Sequence, residues 1–126
     1  MLCTYARWFQ RPQMVSVCPA QLRLPRRTVQ RYLRFRSGCH GLPVDLGRRT
    51  GTPRVARVCA LCHAAFGDEY HLVFECAALH HLRVQYGYLF TDNHQGMLAL
   101  MWQDDQVSVA KFVDTCLHLH DDATVA

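Results

Sequence analysis

Long apolar runs are missing from this 126-residue chain. Nowhere do apolar residues continue for the roughly 18 positions of a membrane-spanning helix. The N-terminal stretch MLCTYARWFQRPQMVSVCPA lacks a continuous apolar core as well, because Arg7, Gln10, Arg11 and Gln13 interrupt it. That argues against a secretory signal. Seven cysteines without such a signal point to a reducing compartment, nuclear or cytoplasmic, where thiols act as ligands or core fillers rather than disulfides. Repeats and low-complexity blocks are also lacking. Half of the residues are hydrophobic, which excludes wholesale disorder, and the length suits one domain.

Acidic residues are almost absent from Met1 to Arg57, where Asp45 stands alone against twelve arginines, a net charge of +11. From Val58 to Ala126 the balance inverts: two bases, Arg83 and Lys111, face nine acids, giving −7. A basic half joined to an acidic half suggests a polyanion-facing surface, and nucleic acid is the commonest polyanion. Arginine in place of lysine suits bidentate phosphate contacts and stacking on bases. The plain alternative is a solvated face, or arginines paired with the acids of the second half.

Residues 1–22 carry weak periodicity, two prolines and scattered aromatics, and read as a poorly ordered or short docking segment ahead of a domain spanning 23–126. Cys3 and Cys18 have no partner at ligand spacing. Leu24-Pro25 can open a helix. From Arg26 to Ser37 the pattern RRTVQRYLRFRS places Val29, Tyr32 and Leu33 on one face and Arg27, Arg31 and Arg34 on the other, with Gly38 as its stop. Cys39 to Arg57 reads as loop, punctuated by Gly41, Pro43, Gly47, Gly51 and Pro53, and Arg48 and Arg49 keep it basic. A short hairpin near Val55 to Ala60 is compatible with the pattern. After Cys76 the chain continues helically to about Gly87, with His80 and His81 expected to face solvent. Thr91 to Gly96 is a polar connector. Two more helices follow, Gln95 to Gln103 and Gln106 to Leu119, the second with a core stripe of Val109, Phe112, Val113, Cys116 and Leu117. His118 and His120 read as a fraying end.

The strongest signal is the stretch CALCHAAFGDEYHLVFEC, residues 59–76. Cys59, two residues, Cys62, eight residues, His71, four residues, Cys76: three soft thiolates and an imidazole form the ligand set of one closed, structural Zn²⁺ site. Two cysteines on one tight turn can point at a single ion, and eight residues suffice to reverse the chain. Asp68 is placed to cap the helix that carries His71, with Glu69 in its first turn. Cys39 and His40 are weaker ligand candidates, since nothing else lies at suitable spacing. A redox reading of the C-x₂-C pair loses to the later His and Cys at ligand spacing. A catalytic zinc keeps a position open for water, whereas this set fills all four, and no H-x-E motif of a zinc deaminase is present. The residues therefore predict a mainly α fold with a small zinc knuckle and flanking helices, no enzymatic activity and no small-molecule substrate.

The runs RYLRFRSGCHGLPVDLGRR, TPRVARVCALC and GDEYHLVFEC resemble the C-terminal zinc-binding region of LINE-type (non-long-terminal-repeat) retrotransposon reverse transcriptases. The resemblance extends from about Leu24 to Leu117. It implies Cys59, Cys62, His71 and Cys76 as zinc ligands. It also implies a basic flank from Arg26 to Arg36 that holds template RNA or target DNA. The nucleic-acid candidates are thus Arg26, Arg27, Arg31, Arg34, Arg36, Arg48 and Arg49. Two departures stand out. Ala77 occupies a position that is often proline in that family, and no Tyr-x-Asp-Asp polymerase motif exists, Asp104-Asp105 following Trp102-Gln103. The expectation is a detached tail or remnant of such an enzyme. The alternative from another class is a zinc-stabilised protein-interaction module that uses the acidic half or the apolar face of the last helix.

Overall fold

The computed structural model describes residues 23–90, 96–101, 103 and 105–125. The segment 1–22 with Cys3 and Cys18, most of the connector, Trp102 and Asp104 lie outside the described residues. The described chain is mainly helical. Its helices are α1 (Arg26–Ser37), α2 (Pro43–Thr50), α3 (His80–Gln85), α4 (Met97–Met101) and α5 (Gln106–Val125), joined by shorter helical turns. Among the described residues the only β pairing is one antiparallel bridge, Val58 with Phe66, in place of the hairpin expected near Val55 to Ala60.

α1 packs along α5. Its buried positions, Thr28, Val29, Tyr32, Phe35 and Arg36, recur at helical spacing and make one face. Gly38, at φ 86°, closes the helix in the left-handed conformation that glycine adopts without a Cβ penalty. From α5 the facing stripe is Val109, Phe112, Val113, Cys116 and Leu117. The Cys116 thiol is pushed up to about 12 by burial, which makes it an inert core filler.

The seam between these helices carries a polar network. Thr28 Oγ1 and Arg31 Nη1 donate to the two carboxylate oxygens of Asp114 at 3.0 and 2.9 Å. Tyr32 donates its hydroxyl to Gln106 Oε1, and Arg36 Nη1 donates to both Tyr32 Oη (3.2 Å) and Gln106 Oε1 (3.3 Å). Arg36 is therefore a buried structural residue, not one of a phosphate-facing row. Position 36 lies four residues from Tyr32 and one from Phe35, which puts it on the covered face of the helix. Its guanidinium is satisfied there by hydrogen bonds.

Cys39 to Arg57 is not a loop. Pro43 sits in the first turn of α2, where its missing N–H costs nothing, and Gly51 ends the helix at φ 74°. Those residues are boundaries of a helix, not interruptions of a coil. Asp45, the sole acid of the basic half, is buried; it accepts Gly41 N–H at 3.0 Å and holds Arg49 Nη2 at 3.1 Å. α2 is also docked on the segment that runs from Cys59 to Cys76. Val44 N–H donates to the Gly67 carbonyl at 3.0 Å, and a Cβ on Gly67 would meet Pro43 at 2.7 Å.

α5 runs on past Leu119, and His120 is not frayed: it is 1% exposed, one turn beyond Cys116 on the same stripe. Burial lowers its affinity for a proton, with Asp121 opposing that and His40 adding to it. As pH falls, the unfolded chain takes up this proton first. Stability that is complete above about pH 6.5 is thus lost as pH drops through the lower folded value. In metal-loaded protein, denaturant melts at pH 7.5 and 5.5 are expected to show a larger loss for the wild type than for His120→Leu. Equal losses would remove His120 as the cause.

Candidate metal centre

The local hydrogen bonds explain how residues 57–76 fold back on themselves. Cys59 N–H donates to the Ala65 carbonyl at 2.8 Å and Gly67 N–H to the Arg57 carbonyl at 2.8 Å, so the chain reverses between Val58 and Phe66. Inside that reversal His63 N–H donates to the Cys59 carbonyl at 3.0 Å, and His63 takes φ 56°. Leu61 N–H points at Cys59 Sγ, 3.4 Å away. The turn presents Cys59 and Cys62 to the same point. Asp68 Oδ1 accepts His71 N–H at 2.8 Å, the capping role its position predicts. His71–Glu75 then forms a widened, π-helical turn, a feature frequent at functional sites. At Cys76 the backbone extends before helical turns resume at Ala77. The Cys76 carbonyl accepts from Arg83 Nη2.

The result is a cluster. The ligand atoms of Cys59, Cys62, His71 and Cys76 all lie within 4.8 Å of one another and can hold a metal ion. Cys59 Sγ and Cys76 Sγ are 3.8 Å apart, and Cys62 Sγ is 3.2 Å from His71 Nε2. The three cysteines and one histidine predicted from spacing are all brought together, and the three cysteines are free thiols. Burial raises the Cys76 thiol to about 11, helped by the charges of Cys59 and Cys62. At Cys62 burial also pushes upward, but hydrogen bonds from Ala64, the neighbouring thiols and Ala65 outweigh it and the net direction is down. Sulfurs gathered this tightly repel one another as thiolates. A divalent cation at their centre reverses that repulsion and displaces their protons. His71 Nδ1 is buried without a hydrogen bond, its nearest carboxylate being Glu75 Oε1 at 3.8 Å. That is the N–H a metal-bound imidazole turns toward a carboxylate.

The cluster is fixed to the rest of the molecule in two ways. Tyr70 stacks on Phe74 (ring centroids 4.8 Å apart), Phe74 meets Phe90 edge-on, and Phe90 meets Phe112 of α5. His40 and Glu69, both essentially without exposure, form an Nε2–Oε1 contact of 2.8 Å. Leu42 N–H donates to His40 Nδ1 at 3.1 Å, so the ring proton sits on Nε2 and is given to Glu69. His40 is thus a buried partner of the metal segment, not a ligand, and Cys39 is exposed. Sequence reasoning missed this pair. Nothing local links position 40 to position 69.

The other candidates divide. Arg26, Arg27, Arg34 and Arg49 are exposed, Arg31 and Arg48 are partly covered, and Arg36 is buried. Tyr32 and Phe35 are fully buried, and Tyr70 is stacked on Phe74. His80 and His81 are exposed and stand outside the cluster. No helix among the described residues is long and apolar enough to cross a membrane. No protein-family model matches the chain, and neither a curated protein nor a solved structure matches it.

Proposed function

We propose that this chain is a structural-zinc module that binds nucleic acid through exposed arginines on α1 and α2. The observation that carries the reading is the convergence of three thiols and an imidazole within 4.8 Å. A tetrahedral zinc with Zn–S near 2.3 Å separates its sulfurs by about 3.8 Å. The Cys59–Cys76 separation equals that value. Cys₃His is a closed set for zinc, with no position left for a reacting water, so the reading is structural and non-catalytic. The metal would hold the reversed turn against the His71 segment, and Leu61 N–H would support the Cys59 thiolate.

Nucleic acid is favoured by the placement of twelve of the thirteen arginines, and only one of the ten acids, in the first 57 residues. Arg26, Arg27, Arg34 and Arg49 leave this charge on the surface. The sequence resemblance to the zinc-binding tail of LINE-type reverse transcriptases supports the same assignment. On that reading the chain is a part or remnant of such an enzyme. The test is a fluorescence-anisotropy titration of zinc-loaded protein against labelled single-stranded and duplex oligonucleotides at low salt. Saturable binding that weakens steeply with salt is expected. Absence of binding at low salt would contradict the proposal.

A second reading, a zinc-stabilised protein-interaction module, is favoured by Val84 and Tyr88. They lie four residues apart after the metal segment and are 67% and 54% exposed. Its sign would be partner binding that persists at high salt.

A further inference from the structure

A cavity of about 250 Å³ opens where the end of α1, the Cys39–Gly41 link, α2 and the C-terminal half of α5 meet. Three arginines, Arg31, Arg34 and Arg49, are among its lining residues, with one acid, Asp121. Its volume far exceeds the roughly 10–15 Å³ a single water requires. It also falls short of the ~300 Å³ at which pockets for drug-sized ligands begin. The space is large enough to admit a charged group together with water.

We propose that this cavity seats a single phosphate group between Arg31, Arg34 and Arg49. Arg31 and Arg34 stand three residues apart on one face of α1, a like-charge pairing that folding does not reward. Arg49 joins them from a different helix. Two of the three have carboxylate partners: Arg31 pairs with Asp114 at 2.9 Å, and the largely exposed Arg49 with Asp45 at 3.1 Å. Arg34 makes no ion pair among the described residues, so its charge has no carboxylate counterpart. Three arginines around one space, two of them paired with carboxylates, can offer an oxyanion bidentate, charge-assisted hydrogen bonds. The backbone amides nearby are already engaged. Gly41 N–H donates to Asp45 and Leu42 N–H to His40, so recognition falls to the side chains. His40 closes the inner wall. Its other nitrogen bonds Glu69, two residues before ligand His71, which ties the cavity wall to the metal segment.

The site rests on the nucleic-acid reading only for the source of its phosphate, which is a strand backbone or a free phosphate ester. The test uses ¹⁵N-labelled, zinc-loaded full chain titrated with inorganic phosphate at constant ionic strength, chloride being exchanged for phosphate. Saturable shifts at the Gly41 amide and the Arg31 and Arg34 Nε–H signals are expected. Arg34→Ala should weaken the response about tenfold, as loss of one charge-assisted contact requires. Lys111→Ala, which removes an equal charge from outside the cavity, should leave it unchanged, and Asp121→Asn should tighten it. An oligonucleotide that displaces phosphate from these signals identifies the strand as the source. Phosphate shifts without oligonucleotide binding support the site with a free ester as its ligand, and the nucleic-acid reading then fails alone. No phosphate-dependent shift, or equal effects of Arg34→Ala and Lys111→Ala, overturns the site even where oligonucleotides bind.

Discussion

Cys62→Ser and His71→Ala are each expected to unfold the segment from Arg57 to Gln85, while Cys39→Ser leaves it folded. Structural zinc contributes on the order of 10 kcal/mol to folding in small metal-held modules. Net stability of a whole domain is only about 5–15 kcal/mol. The ligand segment is also core: Cys59, Leu72, Val73, Cys76 and Leu79 are all at most 2% exposed. Releasing the metal therefore exposes apolar surface as well as breaking bonds. Through Tyr70, Phe74 and Phe90 the loss reaches Phe112 on α5. Cys39 is exposed and belongs to no ligand group, so its thiol is dispensable. Backbone amide spectra and thermal melts of the three variants check this. Equal loss of structure in all three, or in none, would count against the ligand assignment.

The second large effect concerns charge. Reversing Arg26, Arg27 and Arg34 to glutamate is expected to weaken single-strand binding without releasing metal. Loss of three phosphate contacts makes the slope of log affinity against log salt shallower by about 2. At 0.15 M salt counterion release alone accounts for a loss of about fiftyfold. These three are chosen because they are exposed and bear no ion pair among the described residues. Arg31 is left intact, because a glutamate there would face Asp114 and loosen the seam between α1 and α5. Arg36 is left intact because its guanidinium belongs to the buried network with Tyr32 and Gln106. Anisotropy titrations at 50 and 200 mM salt read both quantities. An unchanged affinity would remove these arginines from the interface.

What the sequence discloses and what it conceals follow from the range of each interaction. The four metal-site residues fall within eighteen positions, and turn geometry alone brings them together, so their spacing was legible. The buried stripes of α1 and α5 were legible in part, because helical periodicity is local. α2 was not. Its glycines and proline look like breakers in a list of residues, yet Pro43 starts the helix and Gly51 ends it. Gly47 in the middle is covered by the Arg57 side chain, which a Cβ would meet at 2.5 Å. Charge patterning grouped Arg36 with its neighbours, whereas the partners across the seam, Tyr32 and Gln106, place it inside. His120 shows the same limit. Proximity to the two aspartates suggests a polar end, but its turn of α5 still faces the core. The His40–Glu69 pair depends on two elements meeting in space, and no local pattern announces it.

The central claim is that the Cys59, Cys62, His71 and Cys76 cluster holds a zinc ion on which the fold depends. The most direct measurement is metal content per chain in protein purified under reducing conditions, with circular dichroism before and after chelation. The account predicts one tightly held zinc per chain and a loss of helical signal when it is stripped, restored on adding zinc back. Protein that carries no zinc and keeps its helical signal in chelator would contradict it.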